Sequence, residues 1–230
     1  RPFEPRPSGQ VVVVEIDECS IEYFRARKEG GWPWSRQRHA DLLDQLDRAG
    51  VRAVGYDVLF ADPSPNDPLG DETLEAMARG GAGRFLFNST RLHPDYDAGS
   101  PMRASQAPAA FPLKPQPQDD PKVALLLPYG EAMATFSAVS NVTRNVDGVL
   151  RDIPLREAVG DWALPSLPLR LAMTAAPRSP QNLAAALRPN WRRHTRLPSI
   201  SAADLLTGGQ AVCRDATTAP PALKDRVVLI

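Results

Sequence analysis

The chain has no run of about eighteen apolar residues, so nothing in it reads as a membrane-spanning helix. Cysteine is scarce: only Cys19 and Cys213 occur. Their separation excludes a local CxxC redox pair or zinc knuckle and leaves either one long-range disulfide or two free thiols. Neither charge sign dominates, with Lys+Arg and Asp+Glu at 27 each. Without a basic tract, nucleic acid is not expected as a partner. The HExxH, GxxxxGK[ST] and GxSxG motifs are absent, so three common catalytic layouts have no anchor here. His39, His93 and His194 are scattered without ligand spacing. No metal site and no cofactor is therefore expected.

Proline, by contrast, is abundant: 24 residues in a chain of 230, against a usual share of roughly 5%. Pro2, Pro5 and Pro7 mark residues 1–10 as a linker or extended arm. A second concentration falls in Arg91–Lys122, which shows neither helical nor strand period. That stretch reads as a Pro-rich insertion running over the surface of one domain, residues 11–230. The apolar fraction of 43% is enough for a core.

The periodic segments alternate. "VVVVEID" (Val11–Asp17) is a β-branched run suited to a parallel sheet. Cys19–Gly31 holds a short helical turn. Ser35 is a good N-cap for a helix whose Leu42, Leu43, Leu46 and Ala49 form an apolar stripe, ended by Gly50. Val51–Phe60 is the next strand, which makes a right-handed βαβ unit. A helix over Asp71–Gly81 and strands over Gly83–Thr90 and Val123–Tyr129 follow. Phe136–Val159 reads as a β-hairpin turning near Asp147–Gly148. Helices are expected over Leu164–Ala175, with Pro165 in the first turn, over Ser179–Pro189 and over Ser199–Gly209. "RVVLI" closes the chain as a strand. The fold class is α/β: a mostly parallel central sheet flanked by helices, with one antiparallel β-hairpin.

Four features could carry chemistry. The glycines of Arg79–Phe85 leave a helix and enter a strand, the reverse of a phosphate cradle, so capping explains them better. Asp17 and Asp57 each stand near the C-terminal end of an expected strand, where α/β sheets bind ligands. If those strands were adjacent, the two carboxylates could hold Mg²⁺ or activate a water. They could equally accept hydrogen bonds from loop and helix-start N–H groups, the preferred reading. Arg36 and Arg151 could bind an anionic ligand, but structural pairing with Asp17 or Asp57 ranks first for both, and Arg36 in particular is expected to reach one of those carboxylates. Trp32 and Trp34 flank Pro33 as an aromatic corner; at least one ring is expected to be buried.

Taken in order, "IDECSIEYF", "GGWPWSRQRHADLLDQLDRAGVRAVGYDVLF", "DPLGDETLEAM", "SNVTRNVDGVLRDIPL", "LPSLPLRLA" and "LKDRVVLI" resemble the CHASE2 domain from about Val11 to Ile230. The family's recurrent positions fall on Asp17, Ser20, Trp32, Pro33, Trp34, Arg36, Asp57, Phe60, Asp71, Asn141, Asp147, Gly148 and Arg151. The resemblance implies a non-enzymatic, extracytoplasmic (periplasmic) sensor domain of a bacterial inner-membrane receptor. Such a domain passes its signal through membrane helices to a cytoplasmic output: an adenylate or guanylate cyclase, a histidine kinase of a two-component system, a Ser/Thr kinase or a diguanylate cyclase. It implies an unidentified small-molecule or protein ligand, with Asp17, Trp32, Trp34, Arg36, Asp57, Asn141 and Arg151 as candidate contacts. Residues 1–10 then form a juxtamembrane-like arm. Two departures stand out: the Arg91–Lys122 stretch is longer than the family pattern, and the chain stops at "VVLI" where that pattern runs on. The expectation is of a segment excised from a longer chain. The alternatives are an architectural module that holds a homodimer together and, ranked last, a metal-dependent hydrolase using Asp17 and Asp57.

Overall fold

The structure, a computed structural model, describes residues 8–141, 151–176, 183–189 and 197–230. It is mixed α/β, with a mostly parallel central sheet, helices, and two small antiparallel sheets. The chain forms two compact units, one of Arg1–Val54, Pro63–Phe85 and Arg192–Ile230, the other of Gly55–Asp62 and Leu86–Trp191.

In the first unit, β1 (Val11–Glu15) is a valine run in which Val12 and Val14 are fully buried and Val11 and Val13 half-buried. It lies between two late strands, β11 (Ser199–Ser201) and β12 (Val227–Leu229), parallel to both. The far side of β12 meets the start of β2 (Ala53–Tyr56), where the Arg52 N–H donates to the Arg226 carbonyl at 2.8 Å. Strands β1 and β2 are therefore not neighbours, because the closing strand inserts between them. Helix α1 (Glu18–Ala26) is longer than the expected turn, being capped by Asp17. Helix α2 (Arg36–Arg48) keeps its expected cap: the Ser35 side chain accepts from the Arg38 N–H. Leu42, Leu43 and Leu46 are fully buried, and Gly50 takes the left-handed φ of +69° that ends such a helix.

Helix α3 (Pro68–Gly80) begins earlier than the sequence suggests, since Asp67 accepts from the Gly70 N–H at 3.1 Å and Pro68 needs no partner in a first turn. The expected helix over Ser199–Gly209 splits. Its first three residues are β11 and the rest is α6 (Ala202–Leu206). The fully buried Ser20 joins α1 to α6, accepting from the Ala203 N–H at 2.9 Å. Cys19 and Cys213 form a disulfide, which settles the choice the sequence left open.

The second unit takes the end of β2 and most of β3 (Phe85–Arg91). Tyr56 stacks on Phe87 at 6.2 Å between ring centres, with Phe60 at 5.6 Å from Tyr56. After β4 (Phe111–Pro112), β5 (Leu125–Leu126) pairs antiparallel with β3. Helix α4 (Glu131–Thr135) leads into β6 (Ser137–Val139), which pairs parallel with β3. Here the expected Phe136–Val159 hairpin is corrected. All three β6 residues are buried, as in a central parallel strand. The antiparallel hairpin is instead β8 (Arg156–Val159) with β9 (Trp162–Pro165), turning at Gly160 with φ +60°. Asp147 and Gly148 lie outside the described residues.

The strand β7 (Ile153–Pro154) pairs with β10 (Ala186–Leu187), so the described part of Ser179–Pro189 holds a strand where a helix was expected. Helix α5 (Leu167–Ala175) starts later than predicted. Pro165 ends β9, Ser166 caps the helix, and Pro168 takes the first-turn place.

The Arg91–Lys122 excursion is held by acids that satisfy its backbone. Asp120 accepts from the Ser105 N–H at 2.9 Å, and Asp161 accepts from the N–H groups of Gln118 and Asp119 at 2.9 and 3.1 Å. Ala104 and Ala107 pack with Val123, Val159 and Leu164 in a small core. Proline lowers the unfolded chain's entropy, and these contacts do the rest.

Candidate functional site

In the first unit, Asp17 follows β1 directly and serves two purposes. One oxygen accepts from the Ser20 N–H at 2.8 Å, and both accept from the Ser201 hydroxyl at 2.8 Å. The aromatic corner divides its rings, with Trp34 4% exposed and Trp32 49% exposed. Trp34 packs edge-on against Phe24 at 5.6 Å. The Trp32–Pro33 peptide is cis. Arg36 pairs through Nε with Asp71 Oδ1 at 3.2 Å, a carboxylate the sequence did not single out as its partner. The other Asp71 oxygen accepts from the Ser64 N–H at 2.6 Å. Asp71 thereby ties the loop before α3 to the start of α2.

His39 lies beneath this corner, 2% exposed, with its ring 6.0 Å from that of Trp34 and 6.2 Å from that of Trp32. Burial, and then the guanidinium groups of Arg36 and Arg38, lower its pKa to about 3. The unfolded chain would take up that proton near its ordinary value of about 6.5. Stability from a neutral His39 is thus full above that value and drains away as the pH falls towards the folded value. The His39 ring signals in a pH-resolved NMR series are expected to stay those of a neutral imidazole down to pH of about 4. A midpoint near 6 would show the ring to be solvated.

In the second unit, Asp57 accepts from Asn88 Nδ2 at 3.0 Å, and Asn88 Oδ1 accepts from the Ser140 hydroxyl at 2.7 Å. Burial pushes the Asp57 carboxyl upward, opposed by hydrogen bonding to Ser140. The next residue, Asn141, pairs with the backbone of Arg91: its Oδ1 accepts from the N–H at 2.6 Å, and its Nδ2 donates to the carbonyl at 3.0 Å. The structure therefore links Asp57 and Asn141 through the ends of β3 and β6. Arg151 is exposed, next to Asp152, which pairs with Arg188 at 2.9 and 3.1 Å.

Arg91 itself is the residue that sequence reasoning missed. It is buried, and its guanidinium meets both Asp97 oxygens at 2.7 Å and Glu157 Oε1 at 3.0 Å. It also donates to the carbonyls of Leu92 and Ala124 at 2.9 and 3.1 Å. The Asp97 carboxyl is held below the usual range chiefly by its hydrogen bond from Arg91. No motif marks this trio, because its members come from a strand end, a 3-10 turn and the separate strand β8.

Against this network lies a cleft of about 200 Å³, lined by Val139, Asn141, Pro154, Arg156, Glu157, Leu164 and Ser166. Its apolar residues share the cleft with a carboxylate, a guanidinium, an amide and a hydroxyl. Such a mixture suits orientation of a small ligand.

The hydrolase alternative gains no geometry, since Asp17 and Asp57 each hold structural hydrogen bonds. Among the described residues, no group of three His, Cys, Asp or Glu side chains is placed to hold a metal ion. Among those residues, too, no helix is long and apolar enough to cross a membrane. The family model of the CHASE2 domain matches residues 1–230. No curated protein and no solved structure matches the chain.

Proposed function

From the chain's place in the CHASE2 family, to which it belongs over residues 1–230, we propose that it is the input domain of a bacterial transmembrane receptor. CHASE2 is a family of extracytoplasmic sensory domains. On this reading the domain lies on the periplasmic face of an inner membrane and takes a small ligand in the cleft of the second unit. Membrane helices then carry the signal to a cytoplasmic cyclase or kinase. The observation that carries the ligand reading is the cleft, whose polar groups belong to the Asn141–Arg91–Glu157 network. The Cys19–Cys213 bond supports the placement, because such bonds persist in oxidising compartments.

Strands β1 and β12 run parallel side by side inside the sheet. A ligand shifts such a domain only by binding one of two states better than the other. A thermal-denaturation screen of this chain against small metabolites, ions and peptides is expected to yield at least one compound that raises the midpoint in a saturable way. A panel in which none does would remove the small-ligand reading and leave a protein partner as the input.

A further inference from the structure

The second-unit cleft holds charges of both signs. Arg156 and Glu157 both line it, each from strand β8. Behind Glu157, the Arg91 guanidinium pairs with Asp97 and with Glu157 Oε1. Two guanidinium groups thus meet two carboxylates, and the charges balance. Arg91 and Asp97 neutralise each other: both Asp97 oxygens accept from Arg91 at 2.7 Å, and Oδ1 also accepts from the Ala124 N–H at 2.8 Å. The pair that lines the cleft is therefore Arg156 and Glu157. The Glu157 side chain is 42% exposed, and with Oε1 given to Arg91 the lone pairs of Oε2 are left to accept. The Arg156 guanidinium stands 6.0 Å from the Phe111 ring centre. It carries five N–H donors, enough to serve a neighbour and an anion together.

Two neutral groups add to both halves. The Ser166 hydroxyl accepts from the Leu169 N–H at 3.3 Å, which leaves its own O–H to donate. The Asn141 amide is fixed on the Arg91 backbone, Oδ1 accepting at 2.6 Å and Nδ2 donating at 3.0 Å, and one lone pair and one N–H remain. Val139, Pro154 and Leu164 supply aliphatic surface, and none of the described residues lining the cleft is aromatic. A singly charged molecule is attracted by one of the two lining charges and repelled by the other. A dipolar molecule meets both. An α-amino acid sends an ammonium, a carboxylate and a side chain out from one carbon, so three kinds of surface around one small space can each hold one group.

We propose that this cleft binds short aliphatic α-amino acids as zwitterions, the ammonium held by Glu157 and the carboxylate by Arg156. The proposal rests on the sensor reading above and names the chemistry of its ligand. At about 30 Å³ per water, the cleft holds roughly seven waters' worth of volume, room for an amino acid such as alanine or valine.

The test is methyl-detected NMR of this chain titrated in turn with L-valine, isobutylamine and isovalerate; the last two are valine without its carboxylate and valine without its ammonium. Valine is expected to move the Val139 and Leu164 methyl signals saturably. Its Kd should lie about tenfold or more below that of either fragment, the cost of one lost charge-assisted hydrogen bond. Arg156→Gln is expected to weaken valine to the level of isobutylamine, and Glu157→Gln to the level of isovalerate, with amide spectra reporting whether each fold is kept. If either variant unfolds, the wild-type chain decides: N-acetyl-L-valine and L-valine amide, each with one charge blocked, are expected to bind about tenfold more weakly than valine. A fragment or blocked compound that binds as tightly as valine would overturn the two-charge assignment and leave the sensor reading standing. If no compound moves either methyl, the assignment falls as well, and the sensor reading is then judged by its own screen.

Discussion

Reducing the Cys19–Cys213 bond, or replacing both residues by serine, is expected to lower the thermal midpoint by about 10 °C. The bond closes a loop of sequence separation 194. Chain entropy assigns a cross-link of such span about 3–5 kcal/mol. For a domain of this size each kcal/mol is worth about 2–4 °C. The lower end applies, because the Cys213 loop has other anchors. Asp204 is fully buried on α6 and accepts from the N–H groups of Val212 and Cys213 at 2.8 and 2.7 Å. Arg214 pairs with the same carboxylate at 3.5 Å. Calorimetry with and without reductant measures the effect. An unchanged midpoint would mean that these contacts alone hold the loop.

Arg91→Met should cost about 3 kcal/mol at neutral pH, the effect of removing one partner of a buried ion pair. The substitution strands Asp97 and Glu157 without their cation and leaves the carbonyls of Leu92 and Ala124 short of a donor. The Asp97 carboxyl is held below its usual range, chiefly by the Arg91 hydrogen bond. Stability from that pair is present above the ordinary aspartate value, about 3.9, and is lost as the pH falls through the lower folded value. The gap between wild type and Arg91→Met in urea denaturation is therefore expected to narrow on acidification below pH of about 4. A gap under about 1 kcal/mol at pH 7 would place the pair among exposed ion pairs.

Local signals were legible in the sequence where one segment decided them. The valine run of β1, the Ser35 cap and leucine stripe of α2, and the closing strand β12 follow from composition and capping alone. That at least one ring of the Trp32–Trp34 corner is buried follows from ring size, while the choice of Trp34 rests on its contact with Phe24. What stayed hidden depends on distant residues. Nothing in "RVVLI" says that it inserts between β1 and β2, and that insertion separates the two strands whose ends carry Asp17 and Asp57. The Phe136–Val159 hairpin was read from a local dipeptide, yet β6 pairs with β3 and β8 with β9, and the β3 partner lies outside that segment. Among the candidate site residues, Asn141 reaches the cleft and Asp57 connects to it through Asn88 and Ser140. Glu157 and Arg91 were missed because their pairing spans 66 residues.

The most direct test of the input-domain account uses the full-length protein in spheroplasts, with protease added from outside and the cytoplasmic output activity followed. The account predicts that the domain is cut from outside, that the uncut protein carries the Cys19–Cys213 bond, and that cutting moves the output rate away from its starting value. Protection of the domain from external protease, or an output rate indifferent to its removal, would contradict it.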